Sequence, residues 1–205
     1  MNSKGIAGGL HSITEWITRL AYVNILWITF SILGLLVFGF FPSTFAMFAV
    51  VRKWIMGKSD FKVLPTFWAE FRTEFIKANV IGLIFIILAY IFYVDFRFFA
   101  SLEGITSMIF ISVSGSIFVV FFIIGLFIFP VLAHFKLSTL QYFKQAFFVG
   151  VSSPVAVIST MLSLIVMYFL IVRFPALIIF FSGSTLAYLL MWFAMRTFRV
   201  IEEKK

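Results

Sequence analysis

Residues 105–129 read ITSMIFISVSGSIFVVFFIIGLFIF, 25 positions without one Asp, Glu, Lys, Arg or His. A helix rises about 1.5 Å per residue and needs roughly 20 mostly apolar residues to cross a bilayer's hydrocarbon core. This stretch meets that length alone. Four further runs lie around it, Ala21–Val51, Val80–Phe99, Val155–Val172 and Ala176–Met195, each closed by charged or turn residues. The expected fold is therefore all-α, a polytopic transmembrane helix bundle. It forms one integral membrane domain over residues 1–205, with spans near 21–45, 79–99, 105–129, 154–172 and 175–195.

Composition points the same way. Hydrophobic residues make up 63% of the 205 and charged ones 12%, against about 25% charged in a soluble domain. Lipid must supply much of the solvent. The net charge of +8 is assigned to membrane topology and anionic lipid rather than nucleic acid, because the basic residues lie almost wholly outside the apolar runs. With no Cys, disulfides and thiolate chemistry are excluded. Lys4 and Arg19 are the basic residues before the first run, which is too long for a signal h-region, so the first helix is expected to be retained.

The loops carry the basic residues unevenly. Arg52, Lys53, Lys58, Lys62, Arg72 and Lys77 crowd the first loop. With five spans, an N-out/C-in arrangement places 12 basic residues inside and four outside, as the positive-inside rule requires. The first run complicates this count. Ala21–Val51 is too long for one straight span and too short for two, and it contains Gly34 and then Gly39-Phe40-Phe41-Pro42. The reading adopted is one span ending near Phe41, with Gly39 and Pro42 marking a kink or break. The alternative is a re-entrant pair of half-helices, which would place the N-terminus inside.

Two or three short amphipathic helices are expected at the interfaces. Ser12–Leu20 has capping-box spacing at Ser12 and Glu15, with Ile13, Trp16, Ile17 and Leu20 on one face. In the first loop, Arg52, Lys53 and Trp54 form a basic-aromatic membrane anchor. Beyond it Pro65 opens a helix over Leu64–Lys77, on which Leu64, Phe67, Trp68, Phe71 and Phe75 share an arc of about 100°. Its polar face mixes acids with bases where a purely lipid-bound helix would be basic. Phe67, Trp68, Phe71 and Phe75 are therefore the candidate partner contact. The third loop repeats the plan, with Pro130, a basic loop and Phe143/Phe147 before the next span, a pattern compatible with an internal duplication.

Motifs for chemistry are not found. His11 and His134 lack ligand-spaced neighbours, and no phosphate loop, dinucleotide fingerprint or nucleophile elbow occurs. Neither catalytic, cofactor nor metal residues are assigned, and an enzyme is not expected. The middle of every span is free of ionisable side chains, where an ion-coupled transporter would need them. Asp95 and Arg97 lie towards the outer end of the second span, and Asn24 is a candidate for an interhelical hydrogen bond.

Asn24-Ile25-Leu26-Trp27, Gly39-Phe40-Phe41-Pro42-Ser43-Thr44 and Val50-Val51-Arg52-Lys53-Trp54-Ile55-Met56-Gly57, followed by Lys77-Ala78-Asn79, resemble the YesL-like family of bacterial integral membrane proteins. The resemblance implies a plasma-membrane protein associated with carbohydrate uptake and polysaccharide degradation, with no active site to transfer. Two functions are weighed. One is a non-enzymatic accessory or regulatory component docking on a carbohydrate ABC transporter or a membrane sensor. The other is a small transporter or channel subunit with its path at the Pro42 break. Beyond membrane lipid and such a protein, no nucleic-acid partner is expected.

Overall fold

The computed structural model describes residues 6–202, and side chains from residue 13 to residue 200. His11, the Ser12 hydroxyl and the terminal residues Ser3, Lys4, Lys204 and Lys205 fall outside these limits. Eight helices occupy the described residues: α1 Ile6–Leu33, α2 Phe40–Ile55, α3 Val63–Thr73, α4 Phe75–Ala100, α5 Gly104–His134, α6 Thr139–Ser152, α7 Pro154–Arg173 and α8 Leu177–Glu202. Five stretches are long and apolar enough to cross a membrane: Ile13–Leu33, Phe75–Ala100, Gly104–His134, Pro154–Arg173 and Leu177–Val200. The chain is a multi-pass membrane helix bundle. Its last four expected spans fall on α4, α5, α7 and α8.

The first expected span, 21–45, is corrected. α1 ends at Leu33, six residues turn, and α2 starts at Phe40. The chain reverses there: Trp27 Nε1 donates to Thr44 Oγ1 at 3.0 Å, and further from the turn Trp16 meets Trp54 at 6.1 Å between rings. The pair is an antiparallel hairpin, so the kinked-span reading gives way to the broken one. Its cause is local. Gly34 and Gly39 pack backbone to backbone so closely that a Cβ on either would overlap the other's Cα. Leu35 and Leu36 hold positive φ of 57° and 60°, a conformation that costs leucine about 1–2 kcal/mol. The N–H groups of residues 34–38 all find carbonyls within residues 30–35, and Asn79 Nδ2 donates to Phe38 O at 3.0 Å. Backbone without internal partners is not tolerated at lipid depth; this turn has them. Pro42 is not the break itself. It sits in the first turn of α2, where its missing N–H had no intrahelical acceptor to lose.

The separate interfacial helix over Ser12–Leu20 is also corrected. α1 runs unbroken from Ile6, so Ser12 lies inside a helix and not at its start. Glu15 pairs with Arg19 one turn on. A capping box does form at Ser138 and Gln141, which opens α6. The expected Leu64–Lys77 helix divides at Glu74 into α3 and the start of α4, putting Phe75 and Lys77 in α4.

α2 is the centre of the bundle. Eleven of its 16 residues are buried, and it touches α1, α3, α4, α5 and α8. Small residues set the close approaches: Gly82 of α4 admits the Phe41 ring, and Gly150 of α6 admits Ile123 of α5. Gly183 of α8 lies under Trp27 of α1. Ser116 and Ser163 instead bond their own helix carbonyls at Ser112 and Ser159. The chain order α2–α3–α4 recurs as α5–α6–α7, each a helix, a short amphipathic helix folded back on it, and a span joined by one residue, Glu74 or Ser153.

Candidate functional site

Three charged side chains of α2 and α3, Arg52, Lys53 and Glu70, are bonded within the chain. Arg52 Nη1 donates to the Ala133 carbonyl and, at 3.5 Å, to that of His134. These are terminal carbonyls of α5, which lack intrahelical donors and carry the negative end of its dipole. Burial lowers the Arg52 pKa and nearby Glu70 opposes the shift; an arginine stays cationic in either case. Lys53 Nζ pairs with Glu70 Oε1 at 3.2 Å. Trp54 is 5% exposed, enclosed by Trp16 and Phe61. Arg52, Lys53 and Trp54, read from the sequence as a membrane anchor, thus make contacts within the chain that clasp α2 to α1, α3 and α5. Sequence spacing could not reveal this, because the carbonyls it serves lie 81 residues away.

Around that clasp lies a cavity of about 330 Å³. Phe45, Ala49 and Leu132 form its apolar side, and Arg52, Lys53, Glu70, Thr73, Glu74, His134, Lys136 and Tyr142 its polar side. The Tyr142 hydroxyl donates to Phe135 O at 3.2 Å and accepts from Leu137 N at 3.0 Å, which fixes the loop at the mouth. Glu74 pairs with Lys77 at 2.6 Å. Of these residues the sequence singled out only Arg52, Lys53 and His134. Glu70 and Glu74 were read as a solvated polar face, and nothing local marks Tyr142.

The aromatic face offered as a partner contact is largely taken up inside the chain. Phe67 is fully buried and Phe71 is 8% exposed, both stacked on Phe30 of α1 at 5.2 and 5.3 Å. Phe75 leans on Phe71. Trp68 alone of the four stays open, at 48% exposed. A hydrophobic arc buries whatever apolar surface is nearest, and α1 supplies it. Gly39 and Pro42 belong to the hairpin turn and the buried start of α2. Beside them Phe129 stacks on Phe41 and Phe48 at 6.5 and 5.9 Å, filling the space between α2 and α5.

Asn24 is the most thoroughly bonded polar side chain in the bundle. Fully buried, it donates through Nδ2 to Ile178 O at 3.2 Å and Ile179 O at 2.7 Å. Its Oδ1 accepts from Gly183 N and Ser184 N, both at 2.9 Å. One carboxamide so serves four backbone groups of α8.

A family model described as "Protein of unknown function, DUF624" matches residues 20–96, the stretch that holds the hairpin turn, α2 with Arg52, α3 and most of α4. Three Bacillus subtilis (strain 168) proteins align with nearly the whole chain. "Uncharacterized protein YesL" is 32% identical over 98% of this chain and 94% of its own length. "Uncharacterized protein YteU" is 34% identical over 92% and 84%, and "Uncharacterized protein YesV" 30% identical over 96% and 95%. No solved structure matches. Identity of this order along the full length, with Asn24, the glycine turn and Arg52 inside the matched segment, makes the chain a member of the YesL-like, DUF624 family of membrane proteins.

Proposed function

We propose that this protein is a non-enzymatic accessory or regulatory component of a carbohydrate-uptake system in a bacterial plasma membrane. One observation carries the reading: the ion pairs and the Arg52 clasp lie at one end of the bundle, while the space between α2 and α5 is packed with Phe41, Phe48 and Phe129. At that end Lys53, Lys77, Glu70 and Glu74 pair with one another and Arg52 caps α5, which suits a rigid docking platform. The link to carbohydrate rests on the family resemblance. A transporter or channel with its path at Pro42 has less support, since Pro42 is buried in the packed start of α2.

The orientation proposed is N-in/C-in. The hairpin brings Trp16 and Arg19 beside Trp54, so Lys4 and Arg19 join the side that already carried 12 basic residues. That makes 14, leaving Arg97 and Arg173 opposite, a sharper asymmetry than the five-span count. The hairpin tip then lies in lipid, in keeping with exposed Leu33, Leu35, Leu36, Val37 and Phe38. The docking surface would be the basic end together with Trp68. Affinity purification from native membranes in mild detergent, from cells grown with and without pectin-derived sugars, tests the reading. Recovery of an uptake-system subunit, reduced by Trp68→Ala, is the expected result. Recovery of lipid alone under both conditions would overturn it.

A further inference from the structure

The cavity beside Arg52 holds more positive charge than its own carboxylates balance. Glu70 is matched by Lys53 at 3.2 Å and Glu74 by Lys77 at 2.6 Å. Arg52 and Lys136 also line it, and among the described residues neither is in an ion pair. Arg52 is held in place by two carbonyls, so its charge cannot swing away. Lys136 is exposed at the mouth. The lining carries three cations, Arg52, Lys53 and Lys136, against the two carboxylates of Glu70 and Glu74, and Glu70, already paired with Lys53, also acts on Arg52. The net positive recess, walled on one side by Phe45, Ala49 and Leu132, favours an anion, because field lines concentrate where low-dielectric walls exclude water. Thr73 adds a hydroxyl to the lining, and Glu70 and Glu74 keep carboxylate oxygens there that can accept from a ligand hydroxyl. At about 330 Å³ the space is at the lower end of the range for small-molecule sites, roughly 300–1,000 Å³.

We infer that this cavity binds a compact, hydroxyl-bearing phosphate, with the acid group between Arg52 and Lys136 and the hydroxyls towards Thr73, Glu70 and Glu74. Such a group comes either free in the cytoplasm or as the headgroup of an anionic lipid. The inference stands apart from the docking reading above, since it concerns a small ligand and needs no protein partner.

Full-length protein in a neutral maltoside detergent would be titrated with sn-glycerol 3-phosphate by calorimetry. In parallel its thermal unfolding would be compared in nanodiscs of phosphatidylcholine and of an equal phosphatidylcholine–phosphatidylglycerol mixture. Saturable binding of glycerol phosphate identifies a free ligand. Stabilisation by phosphatidylglycerol without it identifies a lipid headgroup. In the arm that responds, Lys136→Gln should weaken the effect about fivefold, and Lys136→Glu should abolish it. Lys144→Gln, at the same end but outside the cavity lining, should leave it unchanged. Arg52 is not the primary variant because it also caps α5; Arg52→Lys keeps the charge and should retain partial binding. Equal losses from Lys136→Gln and Lys144→Gln would reduce the effect to general surface charge and overturn the inference. So would an absence of response in both arms.

Discussion

Replacing Asn24 tests whether α1 and α8 are joined by one carboxamide. The side chain is fully buried and makes four bonds to α8 backbone, at 3.2, 2.7, 2.9 and 2.9 Å. Interhelical side-chain hydrogen bonds in membranes average about 0.6 kcal/mol each, so four give about 2.4 kcal/mol. A buried group left without a partner costs about 1–3 kcal/mol, which would raise the sum. Against that, Gly183 N–H freed from Asn24 lies one helical turn beyond Ile179 O and can close the ordinary bond of α8. Asn24→Ala is therefore expected to cost about 2 kcal/mol. Asn24→Asp keeps the size and the acceptor but loses both donors, and sets a carboxylate oxygen against the carbonyls of Ile178 and Ile179. It should cost more than Ala, by about 1–3 kcal/mol. Reversible unfolding of the purified protein in mixed micelles, titrated with a denaturing detergent, measures both. If Asp proved as stable as wild type, or better tolerated than Ala, the four-bond account of this contact would be wrong.

The hairpin, the clasp and the orientation each have a direct test. Gly39→Ala and Gly34→Ala force a Cβ into the facing backbone, so each should destabilise by about 1–3 kcal/mol in the same titration, whereas Gly115→Ala, in open space, should not. Arg52→Gln removes the charged donor from the Ala133 and His134 carbonyls, at an expected cost of about 1.5–3 kcal/mol; an unchanged midpoint would mean the clasp contributes nothing. In this Cys-free chain, Ser3→Cys, Ser59→Cys and Ser138→Cys should all resist an impermeant thiol reagent in intact cells while Ser101→Cys reacts. Labelling of Ser3→Cys with the other two protected would restore the N-out arrangement.

What the sequence conveyed and what it withheld divide along the range of the interactions. Runs such as Ile105–Phe129 are self-sufficient, because crossing a bilayer depends on length and polarity alone, and α4, α5, α7 and α8 lie where those runs place them. Asn24 was legible as an interhelical donor, since an uncharged amide within an apolar run needs a partner. Its partner, 154 residues away, was not. The first run misled for a definite reason. Gly34-Leu35-Leu36-Val37-Phe38-Gly39 has none of the polar turn residues that mark a reversal in water, and the turn satisfies its N–H groups from its own backbone. Apolar composition hid a bend that only the two glycines betray.

The same bend explains what the basic-aromatic motif packs against. Arg-Lys-Trp after an apolar run is the usual signature of a span reaching the headgroups. Here the run has already turned back, and the last turn of α2 packs through Arg52 and Trp54 against α1, the first loop and the end of α5. A tryptophan with α1 on one side and the first loop on the other packs against Trp16 and Phe61. A buried arginine must find acceptors, and the unsatisfied carbonyls at the end of α5 are the nearest. Once Arg52 is fixed there, α2, α3 and the α5–α6 loop must enclose a charged recess rather than a greasy seam. The cavity with Lys136 at its mouth thus follows from the Gly34–Gly39 turn, some 13 residues upstream of Arg52 by count from Gly39.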